Sequence, residues 1–198
     1  MKIIEVTGEL VRPKGYGIWG SSHSYSQAIT GEAARKMNLQ GYRMPPEPHK
    51  QMSGLAHSFL DAISKSKGSP EPLYHSFQNR RQQEWKIGAI LDMPLTATSG
   101  DKDNTGYGRR LDPKDQEGET TVLEFPAGTP FAGYSKWNKA DAEDFGYKWG
   151  EAIVAGRFRI SNVRQDQEHT WRDIPGHTVV TLVPVAIFDP NTQEWRQL

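Results

Sequence analysis

Cysteine is absent from the 198-residue chain. That excludes disulfides, thiolate metal sites and a cysteine nucleophile, and leaves the redox compartment open. Long apolar runs are missing too: none approaches the ~20 residues of a membrane span. The opening Met1-Lys2-Ile3-Ile4-Glu5 carries an acid at once and lacks the apolar core of a signal peptide. The expectation is a cytoplasmic protein, or one delivered into a host cell or virion. Neither sign of charge dominates, with 24 Lys and Arg against 24 Asp and Glu. Composition therefore makes no case for general binding to nucleic acid or an anionic membrane. There is no internal repeat; Gly15-Tyr16-Gly17-Ile18-Trp19-Gly20 has Gly-x-Gly-x-x-Gly spacing but reads as a loop or bulge, so a Rossmann-type dinucleotide site is not expected.

What is present is turn chemistry, with 19 glycines and 13 prolines. It predicts an α+β protein with many loops. The length suits one domain over 1–198, mainly helical in 1–70 and a β core in 71–198. Helices are expected over Ser22–Asn38 and Ser53–Lys67. The second has an apolar stripe of Leu55, Phe59, Leu60 and Ile63, with Gly68 as its C′ residue. Pro45-Pro46 marks a connector between them. Strands are expected at Pro72–Phe77, Ile87–Asp92, Leu95–Asp101, Thr121–Phe125, Ala152–Ile160 with a break at Ala155-Gly156, and Thr178–Phe188. Pro184 inside the last strand implies a bulge or an edge there, and the tail from Asp189 reads as a turn and a short exposed end.

The stretch Glu119–Val163 organises the rest. Thr121–Phe125 is a strand, Pro126-Ala127-Gly128-Thr129-Pro130 a turn, and a polar loop leads to Glu151 at the start of the next strand. "TVLEFPAGTPF" followed by "GEAIVAGRFRI" resembles, in order and spacing, the C-terminal half of toxin-type ADP-ribosyltransferases. In that family a strand and Gly-Thr turn lead through a substrate-contacting loop to a catalytic glutamate opening another strand. The resemblance extends back to about Leu73. It implies a split antiparallel β-sheet core with N-terminal helices, NAD as substrate, and transfer of ADP-ribose to an acceptor: a protein or, alternatively, a nucleic acid.

The resemblance assigns roles residue by residue. Glu151 is similar to the catalytic glutamate. Leu73-Tyr74-His75-Ser76 is similar to the histidine variant of the first-strand motif, so His75 and Ser76 are expected to hold NAD, with serine replacing the usual glycine. Ala97-Thr98-Ser99 is the nearest match to the family's Ser-Thr-Ser, so Ser99 or Thr98 is expected to orient Glu151 or the nicotinamide ribose. Ala97 departs from the pattern; Thr96 would supply the missing hydroxyl only after a one-residue shift of register, which turns a strand's side chains to the other face. Arg80, in Asn79-Arg80-Arg81, suits diphosphate contact through its guanidinium fork. Tyr147 and Trp149 are expected against nicotinamide or the acceptor. Trp149 stands where many members carry Glu or Gln, so the acceptor is not specified.

Without the resemblance, His75 is an ordinary strand histidine, Arg80-Arg81 a solvated pair and Glu151 a surface acid. The alternative to an enzyme is a binding or structural module of the same fold, such as a phage-particle-associated protein, that has lost catalysis. Asp101–Asp112 partly resembles a calcium loop, but aspartate stands where the bidentate glutamate belongs, and two arginines lie inside it. His169 and His177 lack zinc-site spacing, and no metal is expected.

Overall fold

A computed structural model describes residues 23–79, 84–100, 119–133, 151–166 and 177–198. Among these residues two helices precede the strands: α1 at His23–Lys36 and α2 at Lys50–Ser64. Helix α2 begins three residues earlier than the apolar stripe suggested, because the His49 side chain accepts from Met52 N and caps it. It ends at Ser64 with Lys65 as its C-cap, so Gly68 is not its C′ residue. Gly68 instead adopts φ 92° where the chain passes Gly128; a Cβ there would lie 2.4 Å from the Gly128 carbonyl oxygen. The two segments are stitched by Gly128 N to Ser69 O at 2.7 Å and Ser69 N to Thr129 O at 2.9 Å.

The described residues then form seven strands: β1 Leu73–Asn79, β2 Ile90–Ser99, β3 Glu119–Phe125, β4 Ala132–Gly133, β5 Glu151–Asp166, β6 His177–Asp189 and β7 Glu194–Gln197. Their order is β4-β5-β2-β1-β3-β6-β7, and β5 pairs with β6 as well. The ladders are antiparallel except β3–β6, which is parallel. Strand β2 joins parts of the two runs expected at 87–92 and 95–101; residues 87–89 precede it, and its register shifts between Met93 and Thr96, around Pro94. The break expected at Gly156 is likewise absorbed into one strand. Gly156 sits at φ 150°, and a Cβ would come 2.9 Å from the Ala186 oxygen. The bulge expected at Pro184 is present: the register between β5 and β6 shifts between Arg157 and Phe158, opposite Ala186 and Pro184. The tail forms β7, which pairs back on β6.

Strand alternation divides the apolar side chains between two cores. Leu73, Leu123, Phe125, Val154, Phe158, Ile160, Val180 and Leu182 pack with one another inside the strands. Ile153, Ala155, Leu95 and Ile187 turn the other way and meet Ile29, Ala33, Phe59, Leu60 and Ile63 of the helices. Both helices thus lie against one face of the sheet. Thr30 Oγ1 donates to Leu95 O at 3.3 Å, and Arg196 of β7 donates to Ser64 O at 2.7 Å at the end of α2. Among the described residues no helix is long and apolar enough to cross a membrane.

Candidate functional site

Strands β1 and β2 are neighbours but pair at a single position, Tyr74↔Ser99. Beyond it the ladder stops. His75 Nδ1 lies 2.8 Å from the carbonyl oxygen of Ala97 and spans the two strands in its place. A carbonyl only accepts, so Nδ1 carries the proton. Burial pushes the His75 pKa below its ordinary value, against the opposing pull of the Ala97 carbonyl. The ring is therefore neutral, and Nε2 is its acceptor nitrogen. The His75 and Phe77 rings lie 6.0 Å apart at 29°, and Phe77 meets Trp85 edge-on at 6.2 Å.

This split opens a cleft of about 870 Å³ between β1, β2, α1 and the connector after α1. The volume is in the range of about 300–1,000 Å³ common for small-molecule sites. Its strand wall includes His75, Phe77 and Ala97; α1 contributes Gln27 and Thr30, and the connector Tyr42 and Arg43. Tyr42 reaches over to β2, where its hydroxyl donates to Asp92 O at 2.8 Å; burial, then the Asp92 charge, raises its pKa. The Asp92 carboxylate is itself clamped by Arg157, at 2.6 Å and 2.9 Å, and that guanidinium lies 4.7 Å over the Trp195 ring.

Register brings the motif segments together. Ser99 is the Cα partner of Tyr74 on one side and of Glu151 on the other. The row continues through Tyr74↔Glu124 to Glu124↔Thr181. Arg164 donates to Glu124 at 2.6 Å and to Thr181 Oγ1 at 3.4 Å. Burial, then the Glu124 charge, raises the Tyr74 pKa. Ser99 and Ser76 are buried, and Thr98 gives its hydroxyl to the Ala152 carbonyl at 2.7 Å, tying β2 to β5. Ala97 presents its carbonyl to His75 and its methyl to the core shared with the helices. Thr98 pairs with Ala152, and the Thr96 hydroxyl turns to Pro94 O at 3.0 Å. His75 thus lines the cleft, while Ser76, Thr98 and Ser99 lie within the sheet beside it.

Glu151 opens β5, with its backbone in the ladder; its side chain lies outside the described residues. Arg80, Tyr147, Trp149 and the Asp101–Asp112 stretch also lie outside them. Sequence reasoning passed over Tyr42, Arg43, Asp92 and Thr30. An aromatic and a cation just upstream of Pro45-Pro46, separated from it by Met44, were the available signal, since prolines stiffen the connector that carries them.

No protein-family model matches the sequence. No curated protein matches it either. The solved structures similar to the chain include the Vis toxin, an ADP-ribosyltransferase from Vibrio splendidus. It is 13% identical over 93% of this chain and 87% of that one, with a TM-score of 0.45. C3larvin toxin, an ADP-ribosyltransferase from Paenibacillus larvae, is 11% identical over 92% and 98%, with a TM-score of 0.43. The enzymatic component C2-I of the C2-toxin from Clostridium botulinum is 11% identical over 87% of this chain and 46% of that one, with a TM-score of 0.46. The likeness to these toxins is one of fold.

Proposed function

We propose that the chain is a NAD-dependent mono-ADP-ribosyltransferase. It cleaves the bond between nicotinamide and ribose and passes ADP-ribose to a macromolecular acceptor, a protein in the first instance. The observation that carries this reading is the register Tyr74–Ser99–Glu151. Three segments distant in sequence, each resembling a family motif, become neighbours across three strands, beside a cleft that His75 lines.

As nicotinamide leaves, positive charge develops on the ribose, as in glycoside hydrolysis. A carboxylate beside that ribose is worth more in the transition state than in the ground state. Glu151 takes this role, accepting a hydrogen bond from the ribose 2′-hydroxyl. His75, neutral and held by Ala97, offers its acceptor nitrogen to a ribose hydroxyl without bringing a charge that would oppose the oxocarbenium ion. Ser99, the cross-strand partner of Glu151, orients it. Arg80 meets the diphosphate through its guanidinium fork, and Tyr147 and Trp149 pack on nicotinamide or contact the acceptor. The acceptor electron pair closes on the ribose carbon as the bond to nicotinamide breaks; water in its place gives NAD hydrolysis.

The test is NAD consumption by purified protein and by Glu151→Gln. Loss of electrostatic stabilisation of this kind costs about a hundredfold or more in rate, with the melting temperature unchanged. A second reading, a binding module without catalysis, is favoured by Ala97, whose methyl packs in the core where the family carries a hydroxyl. Equal, negligible turnover in both proteins, without NAD binding, decides for the module.

A further inference from the structure

Two charged side chains line the cleft among the described residues, Arg43 and Asp92. Asp92 is neutralised by its two-pronged contact with Arg157. Arg43 has no ion-pair partner among the described residues and is exposed within the cleft. The wall beside it is the first two turns of α1, where Ser24, Ser26, Gln27 and Thr30 face the same space and the first turn holds no acid. The described part of the cleft thus carries one uncompensated positive charge among neutral donors, an arrangement suited to an anion.

The backbone of Arg43 is held in place. Gly31 of α1 lies against it so closely that a Cβ would come 2.9 Å from the Arg43 carbonyl oxygen and 2.9 Å from Pro45 Cδ. Glycine inside a helix costs about 1 kcal/mol relative to alanine; here it lets the connector sit directly on the helix. The connector is pinned on both sides of Arg43. Tyr42 bonds to Asp92 O, Arg35 bonds to Pro45 O, and His49 N donates to the buried Glu32 at 2.9 Å. The backbone that carries the guanidinium is thus fixed, and a guanidinium suits a planar, two-pronged contact.

We infer that Arg43 binds the diphosphate of the dinucleotide, and that the helix–connector wall, opposite the strand bearing His75, is the phosphate side of the cleft. This rests on the cleft being the NAD site proposed above. The neutral His75 leaves the first-strand position that carries arginine in many family members without charge in this chain, so Arg43 joins Arg80 in meeting the phosphates.

Calorimetric titration of wild type, Arg43→Ala and Arg43→Lys with ADP-ribose, NAD and the phosphate-free nicotinamide riboside tests the inference. In Arg43→Ala, affinity for ADP-ribose and NAD is expected to fall about 10- to 100-fold, the worth of hydrogen bonds to a charged group. Affinity for nicotinamide riboside stays as in wild type, and Arg43→Lys recovers part of the loss. Unchanged ADP-ribose affinity in Arg43→Ala overturns the inference, and so does an equal loss for nicotinamide riboside. ADP-ribose binding does not need turnover, so the two proposals separate. NAD consumption with Arg43-independent binding sinks this inference alone. Arg43-dependent binding of ADP-ribose without NAD consumption sinks the enzyme and leaves the phosphate site. Wild type binding neither nucleotide sinks both.

Discussion

His75 shows how one side chain can close a sheet and open a site together. Its Nδ1–H takes the Ala97 carbonyl that a regular ladder would give to a backbone amide, so β1 and β2 stay joined while their backbones diverge. Because burial lowers its pKa from the ordinary value of about 6.5, the unfolded chain takes up a proton before the folded one does. The stability tied to the neutral ring is complete above about pH 6.5 and falls as pH drops through the lowered folded value. The fall in melting temperature from about pH 7.5 to pH 5.5 should accordingly be smaller in His75→Gln than in wild type. An equal fall in both proteins would mean the ring accepts its proton at no cost. That a histidine stood on this strand was legible in Tyr74-His75-Ser76. That it bridges to β2 was not, since Ala97 lies 22 residues on and offers only its backbone.

Among the elements, the seam between the helices and the strands depends on glycines as well as on the apolar stripe. The stripe located α2, and Phe59, Leu60 and Ile63 are buried as it implied. Gly68 looked like a helix terminator because glycine commonly follows a helix. Its work is instead tertiary: positive φ, and passage against Gly128 in the Gly-Thr turn. Gly68→Ala pays the left-handed penalty of about 1–2 kcal/mol and the clash with the Gly128 oxygen as well. Urea denaturation should show a loss above that range, whereas at Gly54, where a Cβ meets nothing within 4 Å, alanine is expected to be neutral or stabilising. If the two variants unfold at the same midpoint, the close approach is not a constraint.

For the whole molecule, two cores share one set of strands. Phe158 is buried where β5 pairs with both β2 and β6, and meets Phe125 edge-on at 5.2 Å. Phe158→Ala is expected to cost about 3–5 kcal/mol, measured by denaturant unfolding, because the surrounding strands cannot collapse into the space; a loss below 1 kcal/mol would show that they can. The order of elements, the strand-turn-strand around Pro126–Pro130 and the positions of His75, Ser99 and Glu151 are local matters of period, turn chemistry and motif, and the chain's residues determine them unaided. The parallel pairing of β3 with β6, the single bridge between β1 and β2, and the cleft walled by Arg43 and Tyr42 are decided only by the tertiary structure. Each depends on which backbones meet across tens of residues. That choice follows from burying two apolar faces at once, and no local pattern in the sequence encodes it.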